Sequence, residues 1–207
     1  MNPPAASVFI VDDDEAVRAA LRLLMKSAGY PTTTFGSAQE FLASYSPQQP
    51  GCLVLDVRMP GMSGMDLQQQ LNQRGAIIPV IFISGHGDIP LAVEAMQAGA
   101  FDFLQKPFKD QELLDRVNRA LATDAGNRAA QLKVDQVRAL LATLTPRERE
   151  VLELVVNGKP NKIMAADLNL SQRTVEVHRA RVMEKMNARS LAQLVRMMLV
   201  AGGNATT

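Results

Sequence analysis

Three consecutive aspartates, Asp12, Asp13 and Asp14, follow the apolar run Val8–Val11, and a fourth, Asp56, follows Cys52–Leu55. A hydroxyl, Ser84, closes the run Val80–Ser84, and Lys106 followed by Pro107 comes just after Asp102–Leu104. Carboxylates crowded together repel one another, and a hard divalent cation with oxygen ligands relieves the repulsion, magnesium being the natural candidate. Taken singly, each residue has an ordinary structural use, since Asp favours helix N-caps and turns. Taken as a set on successive apolar runs, an Asp cluster, a lone Asp, a hydroxyl and a Lys ask for a shared chemical role.

The elements that must position them are legible. From Ser7 to Ala122 short apolar runs alternate with segments of helical period, the βα repeat of a parallel sheet covered on both faces. The expected fold is a five-stranded, flavodoxin-like doubly wound α/β domain, with strands at Val8–Val11, Thr32–Phe35, Cys52–Leu55, Val80–Ser84 and Asp102–Leu104. Helices are expected to begin near Glu15, Ser37, Ser63, Ile89 and Lys109. Ser37 and Glu40 read as a capping box, and Gly29 and Gly99 as helix ends. In an open parallel sheet the ligand crevice lies beyond the carboxyl ends of the strands, and the residues named above occupy those ends.

Beyond Ala122 the β pattern stops. Residues 123–143 read as a helical linker between a domain at 1–122 and one at 144–207. The second domain is all-α. Thr145, Pro146 and Glu148 make a capping box with Pro at the favoured first helical position. Further helices are expected over Lys162–Asp167, Gln172–Asn187 and Leu191–Val200, the last two capped by Ser171 and Ser190.

The chain has 207 residues, 47% of them hydrophobic and 21% charged, which suits globular domains with real cores rather than disorder. No apolar run approaches the roughly 20 residues that span a bilayer, and no secretory leader pattern opens the chain, so the expected location is the cytoplasm, with no membrane partner. The single cysteine, Cys52, excludes an internal disulfide and a multi-cysteine zinc site. A formal net charge of +1 hides an asymmetry: residues 1–122 hold 13 acidic and 9 basic side chains, residues 144–207 hold 6 and 10. A basic all-α third points to a polyanionic partner.

In KIMAADLNLSQRTVEVHRARVMEKM a short helix, a turn and a capped longer helix read as a helix-turn-helix. At 100° per residue Val175, Val182 and Met186 fall on one stripe toward the core, leaving Arg173, Glu176, Val177, Ala180 and Arg181 outward. An exposed Val and Ala among arginines and a Glu suit the major groove of double-stranded DNA, where apolar groups meet thymine methyls, Arg reads guanine and Glu accepts from cytosine. Thr174 joins this set, and Lys162, Arg179 and Lys185 are placed for phosphates. His86, in the loop after Ser84, is assigned no chemistry. Met59 and Met62, after Asp56, are assigned none either.

The residue set over about 5–122 resembles the receiver domain of bacterial two-component response regulators. The resemblance implies that Asp56 accepts a phosphoryl group from a phosphohistidine on a sensor kinase. Asp13, Asp56 and the Arg58 carbonyl would hold Mg2+ directly, with Asp12 acting through water. Ser84 and Lys106 would bind the phosphoryl oxygens, Phe103 would be the switch aromatic, and the Lys106–Pro107 bond would be cis. LTPREREVLELV, NGKPNK and SQRTVEVHRARVMEKM make residues 144–200 similar to the LuxR/NarL-type helix-turn-helix, although Ile163 stands where many members carry Glu. GHGDIPLAVEAMQAGAFDFLQKPF and PNK with RTVEVHRA bring the chain closest to regulators of the FixJ type. That likeness implies a FixL-like kinase, a homodimer when phosphorylated, work with RNA polymerase at promoter DNA, and activation of nitrogen-fixation genes in low oxygen. It implies no enzyme beyond slow self-catalysed phosphoryl transfer and dephosphorylation.

Overall fold

The computed structural model describes residues 6–85 and 89–202, so His86 lies outside the described residues. In chain order the first part contains β1 (Ser7–Val11), α1 (Glu15–Ser27), β2 (Thr32–Phe35), α2 (Ala38–Ser44), β3 (Gly51–Asp56), α3 (Gly64–Gln73), β4 (Val80–Ser84), α4 (Ile89–Gln97) and β5 (Asp102–Gln105). The strands are all parallel, in the order β2-β1-β3-β4-β5. The expected five-stranded doubly wound domain is what forms.

Strand residues alternate between two cores because successive side chains leave opposite faces of a sheet. Phe9, Val11, Leu53, Leu55 and Phe82 pack with Phe41 of α2, Leu67 and Leu71 of α3 and Ala95 of α4. Val8, Ile10, Cys52, Val54, Ile81 and Ile83 pack on the other face with Leu21 and Met25 of α1. Leu113, Val117 and Ala120 of a long helix, α5 (Asp110–Ala142), complete that face. Cys52 is a wholly buried strand thiol, pushed up to about 12 by desolvation.

Caps decide where helices begin. Asp14 accepts from Ala16 and Val17 and starts α1, and Ser63 with Asp66 forms a full capping box at α3. Ser37 does cap α2, but Glu40 reaches back to the Gly36 N–H at 2.8 Å, so the box expected there is only half formed. At the start of α3, Gly64 is required by contact: a Cβ there would collide with the Asp56 carbonyl oxygen.

The second part is all-helical: the end of α5, then α6 (Pro146–Val156), α7 (Asn161–Asp167), α8 (Gln172–Lys185) and α9 (Leu191–Gly202). Two compact units divide after Arg128, inside a helix that does not break before Ala142. Val137, Leu144, Val151, Leu152, Met164, Val175, Val182, Met186 and Leu194 form the core of the second unit. The Thr145–Glu148 capping box with Pro146 opens α6, and Ser171 caps α8. Among the described residues no helix is long and apolar enough to cross a membrane.

Candidate functional site

The carboxyl ends of β1, β3 and β4 and the segment after β5 deliver Asp12, Asp56, Ser84 and Lys106 to one rim. Lys106 Nζ donates to Asp12 Oδ2 at 2.9 Å and to Asp56 Oδ1 at 3.0 Å. Each carboxylate has its second oxygen occupied: Asp12 Oδ1 accepts from Asp14 N–H at 2.9 Å, and Asp56 Oδ2 from Arg58 N–H at 2.8 Å. The Ser84 backbone fixes the lysine, its carbonyl accepting the Lys106 N–H at 2.7 Å. The Lys106–Pro107 bond is cis.

Asp12 is 1% exposed, Asp56 8% and Ser84 2%, so this cluster is largely withdrawn from water. Desolvation pushes the Asp56 carboxyl above its ordinary value, and the bond from Lys106 only partly draws it back. Burial acts to lower Lys106, but its bonds to Asp12 and Asp56 outweigh that and hold the ammonium above its ordinary value. One cation therefore faces two carboxylates.

The structure separates the three consecutive aspartates. Asp12 is buried, Asp14 is turned into the helix cap, and Asp13 is exposed, lining an open groove with Val57, Arg58 and Met59. Among the described residues no group of three His, Cys, Asp or Glu side chains stands close enough to hold a metal ion, and Asp14 does not join Asp12 and Asp56. The physical reason is that Lys106 supplies the countercharge Asp12 and Asp56 need, while Asp14 is used by the backbone. The donor chemistry still fits a hard divalent cation: Asp12, Asp13 and Asp56 against one ammonium leave two negative charges, and every donor, with the Arg58 carbonyl, is an oxygen.

Phe103 is half-buried, its ring 6.4 Å from Phe82. Sequence reasoning missed Arg18, which donates to the Asp12 carbonyl at 2.8 Å and steadies the acidic loop from α1. Its signal was only an arginine one turn into a helix.

On α8 the outward set is exposed as expected: Arg173, Glu176, Val177, Ala180 and Arg181, with Val177 45% exposed, while Val175, Val182 and Met186 are buried. Lys162 is exposed on α7, and Ile163 is 42% exposed beside it. The Thr174 hydroxyl lies 2.7 Å from Ser171 Oγ at the cap. Arg179 donates to Asn161 Oδ1 at 2.9 Å, tying α8 to α7. Lys185 is the correction: its ammonium bonds Glu148 Oε2 at 2.7 Å and the Thr143 carbonyl at 3.2 Å, so it holds α8 to α6 instead of standing ready for a phosphate. His178 is half-buried with Nδ1 unpartnered.

Residues 8–118 match the response regulator receiver domain, and residues 142–198 match the bacterial regulatory proteins of the luxR family. The chain belongs to the response regulators. This response regulator is 50% identical over 200 residues to Nodulation protein W of Bradyrhizobium diazoefficiens, covering 97% of this chain and 88% of that protein. It is equally 50% identical over 200 residues to the transcriptional regulatory protein FixJ of Azorhizobium caulinodans, covering 97% and 95%. Among solved structures, response regulator StyR superposes with a TM-score of 0.84 at 49% identity, covering 94% of this chain and 98% of that one. It is a two-component response regulator with a luxR-type DNA-binding domain.

Proposed function

We propose that Asp56 of this response regulator accepts a phosphoryl group from a sensor kinase, and that the modified protein dimerises and binds promoter DNA through α8. The observation that carries the reading is the Lys106 ammonium held between Asp12 and Asp56 at 2.9 and 3.0 Å, a cation already in place for added negative charge. An oxygen of Asp56 attacks phosphorus, the bond from phosphorus to the donor histidine nitrogen breaks, and that nitrogen keeps the electron pair. Lys106 then pairs with the phosphoryl oxygens, and the Ser84 hydroxyl donates to them. Asp13, Asp56 and the Arg58 carbonyl would hold Mg2+, with Asp12 acting through water. When bound, the cation neutralises repulsion between the carboxylate and the incoming anion.

A hydrogen bond to a charged group contributes about 1.5–3 kcal/mol, while driving a two-state equilibrium from 1:99 to 99:1 takes about 5.5 kcal/mol. Ser84 alone is insufficient. Pairing by Lys106, burial of the half-exposed Phe103 and association of two copies supply the remainder. α4 supports the last, presenting Ile89 at 76%, Val93 at 50% and Met96 at 46% exposure.

We place its promoters among nitrogen-fixation genes, used with RNA polymerase and answered through a FixL-like kinase in low oxygen. The likeness to FixJ supports this. Equal identity to Nodulation protein W supports a nodulation regulon as the second reading, and phosphotransfer rates from kinases of each kind separate the two. The phosphoacceptor is tested by mass mapping after acetyl phosphate and Mg2+: the label is expected on Asp56 and absent in Asp56→Asn, and a label on Asp12, Asp13 or Asp14 contradicts the reading.

A further inference from the structure

Helix α5 carries an ion pair, its carboxylate buried, that the phosphoryl site does not use. Asp124 is 1% exposed, and its Oδ2 accepts Arg128 Nε–H at 2.7 Å and the Gly51 backbone N–H at 2.9 Å. Arg128 Nη1 donates to the Pro47 carbonyl at 2.9 Å, and Nη2 to the Gln49 carbonyl at 2.7 Å. The guanidinium is thus bonded through all three nitrogens, and it joins α5 to the loop that leads into β3. Gly51 is itself held close to β1, where a Cβ would collide with the Ser7 carbonyl oxygen. An exposed i,i+4 pair on a helix contributes little, but here the carboxylate is buried and the half-buried guanidinium is forked onto backbone carbonyls. Asp124 Oδ1 is buried with no hydrogen-bond partner, so removing the arginine would strand a charge.

β3 begins at Gly51 and ends at Asp56, all six residues buried, so the clasp and the phosphoryl site stand at opposite ends of one strand, about 17 Å apart. The first compact unit ends at Arg128, whereas α5 continues unbroken to Ala142. We infer that Asp124 and Arg128 are positioning residues, a clasp that fixes α5 where it leaves the receiver so that the effect of phosphorylation is passed on by a fixed helix rather than a frayed one. The inference rests on the proposed phosphorylation of Asp56.

The test uses the full chain carrying Arg128→Gln or Arg128→Lys, the latter keeping a charge opposite Asp124 but losing the planar fork. Hydrogen exchange of the unphosphorylated protein is expected to accelerate about tenfold over residues 121–134 and 45–51 in Arg128→Gln, and less in Arg128→Lys, with β1, β3 and β4 unchanged. With acetyl phosphate and Mg2+, labelling is expected at the wild-type rate, while the gain in DNA affinity on phosphorylation falls about tenfold in Arg128→Gln. Should Arg128→Gln fail to fold, the same two readings are taken on Arg128→Lys, with smaller changes expected in the same direction. Unchanged exchange, or a gain retained within about twofold despite a lower urea midpoint, would overturn the positioning role and leave only a structural pair. If the wild type itself shows no gain, the phosphorylation reading fails, and the exchange result judges the clasp by itself.

Discussion

Lys106 serves Asp12 and Asp56 at once, so neither carboxylate has a cation to itself. Because desolvation raises the Asp56 carboxyl in the fold, its ionised form favours unfolding: as pH rises through the ordinary aspartate range, stability is lost rather than gained. Asp56→Asn removes that charge with little change of shape. Its urea midpoint at pH 7 is therefore expected to lie above that of the wild type with the same denaturant slope, measured without added Mg2+. A lower midpoint would mean that the bond to Lys106 outweighs burial. Asp12, Asp56, Ser84 and Lys106 were legible in the sequence as a set because strand ends in a parallel sheet fall on one rim. The separate fates of Asp13 and Asp14 were not, since which of three adjacent aspartates turns into a helix cap depends on the angle at which the chain enters α1.

At the scale of elements, α8 is held by its neighbours through the Lys185–Glu148 and Arg179–Asn161 bonds and presents Arg173, Val177 and Arg181 outward. The Lys185 hydrogen bond, with the Thr145 backbone bond, holds Glu148 down at about 2. A depressed carboxyl contributes stability that is fully present above the ordinary glutamate value near 4.5 and is lost as pH falls toward 2. Exchange of α6 and α8 amides is thus expected to speed up as pH drops through that window beyond its intrinsic pH dependence. Glu148→Gln should lower protection at neutral pH and remove the extra pH dependence. For DNA, Arg181→Ala is expected to cost about 1–3 kcal/mol on a specific site and relax its sequence preference. Lys162→Ala should instead reduce the magnitude of the salt slope by about 0.9, and Lys185→Ala should lower stability with the slope unchanged. Equal slopes for wild type and Lys162→Ala would remove Lys162 from the phosphate contacts. The outward face of α8 was visible as a helical stripe. Lys185 was misread because a lysine whose partner lies 37 positions away looks, in one dimension, like any solvated cation.

Across the whole molecule, an acidic receiver unit and a basic helical unit share one helix. Residues 123–143 read as a linker because Asp124 and Arg128 resemble a solvated face; only the fold brings Pro47, Gln49 and Gly51 against them. The alternation of strands and helices, the two covered faces and the helix-turn-helix needed only local periodicity, whereas this clasp needed contacts across 73 to 81 positions. We propose above all a single control, that of association and DNA binding by charge added at Asp56. Its most direct measurement is promoter affinity and oligomer size, by gel shift and light scattering, with and without acetyl phosphate and Mg2+, in wild type and Asp56→Asn. The wild type is expected to dimerise and bind at least about tenfold more tightly when phosphorylated, and Asp56→Asn to show neither change. A phosphorylated wild type that stays monomeric with unaltered affinity, or an Asp56→Asn protein that still responds, would contradict it.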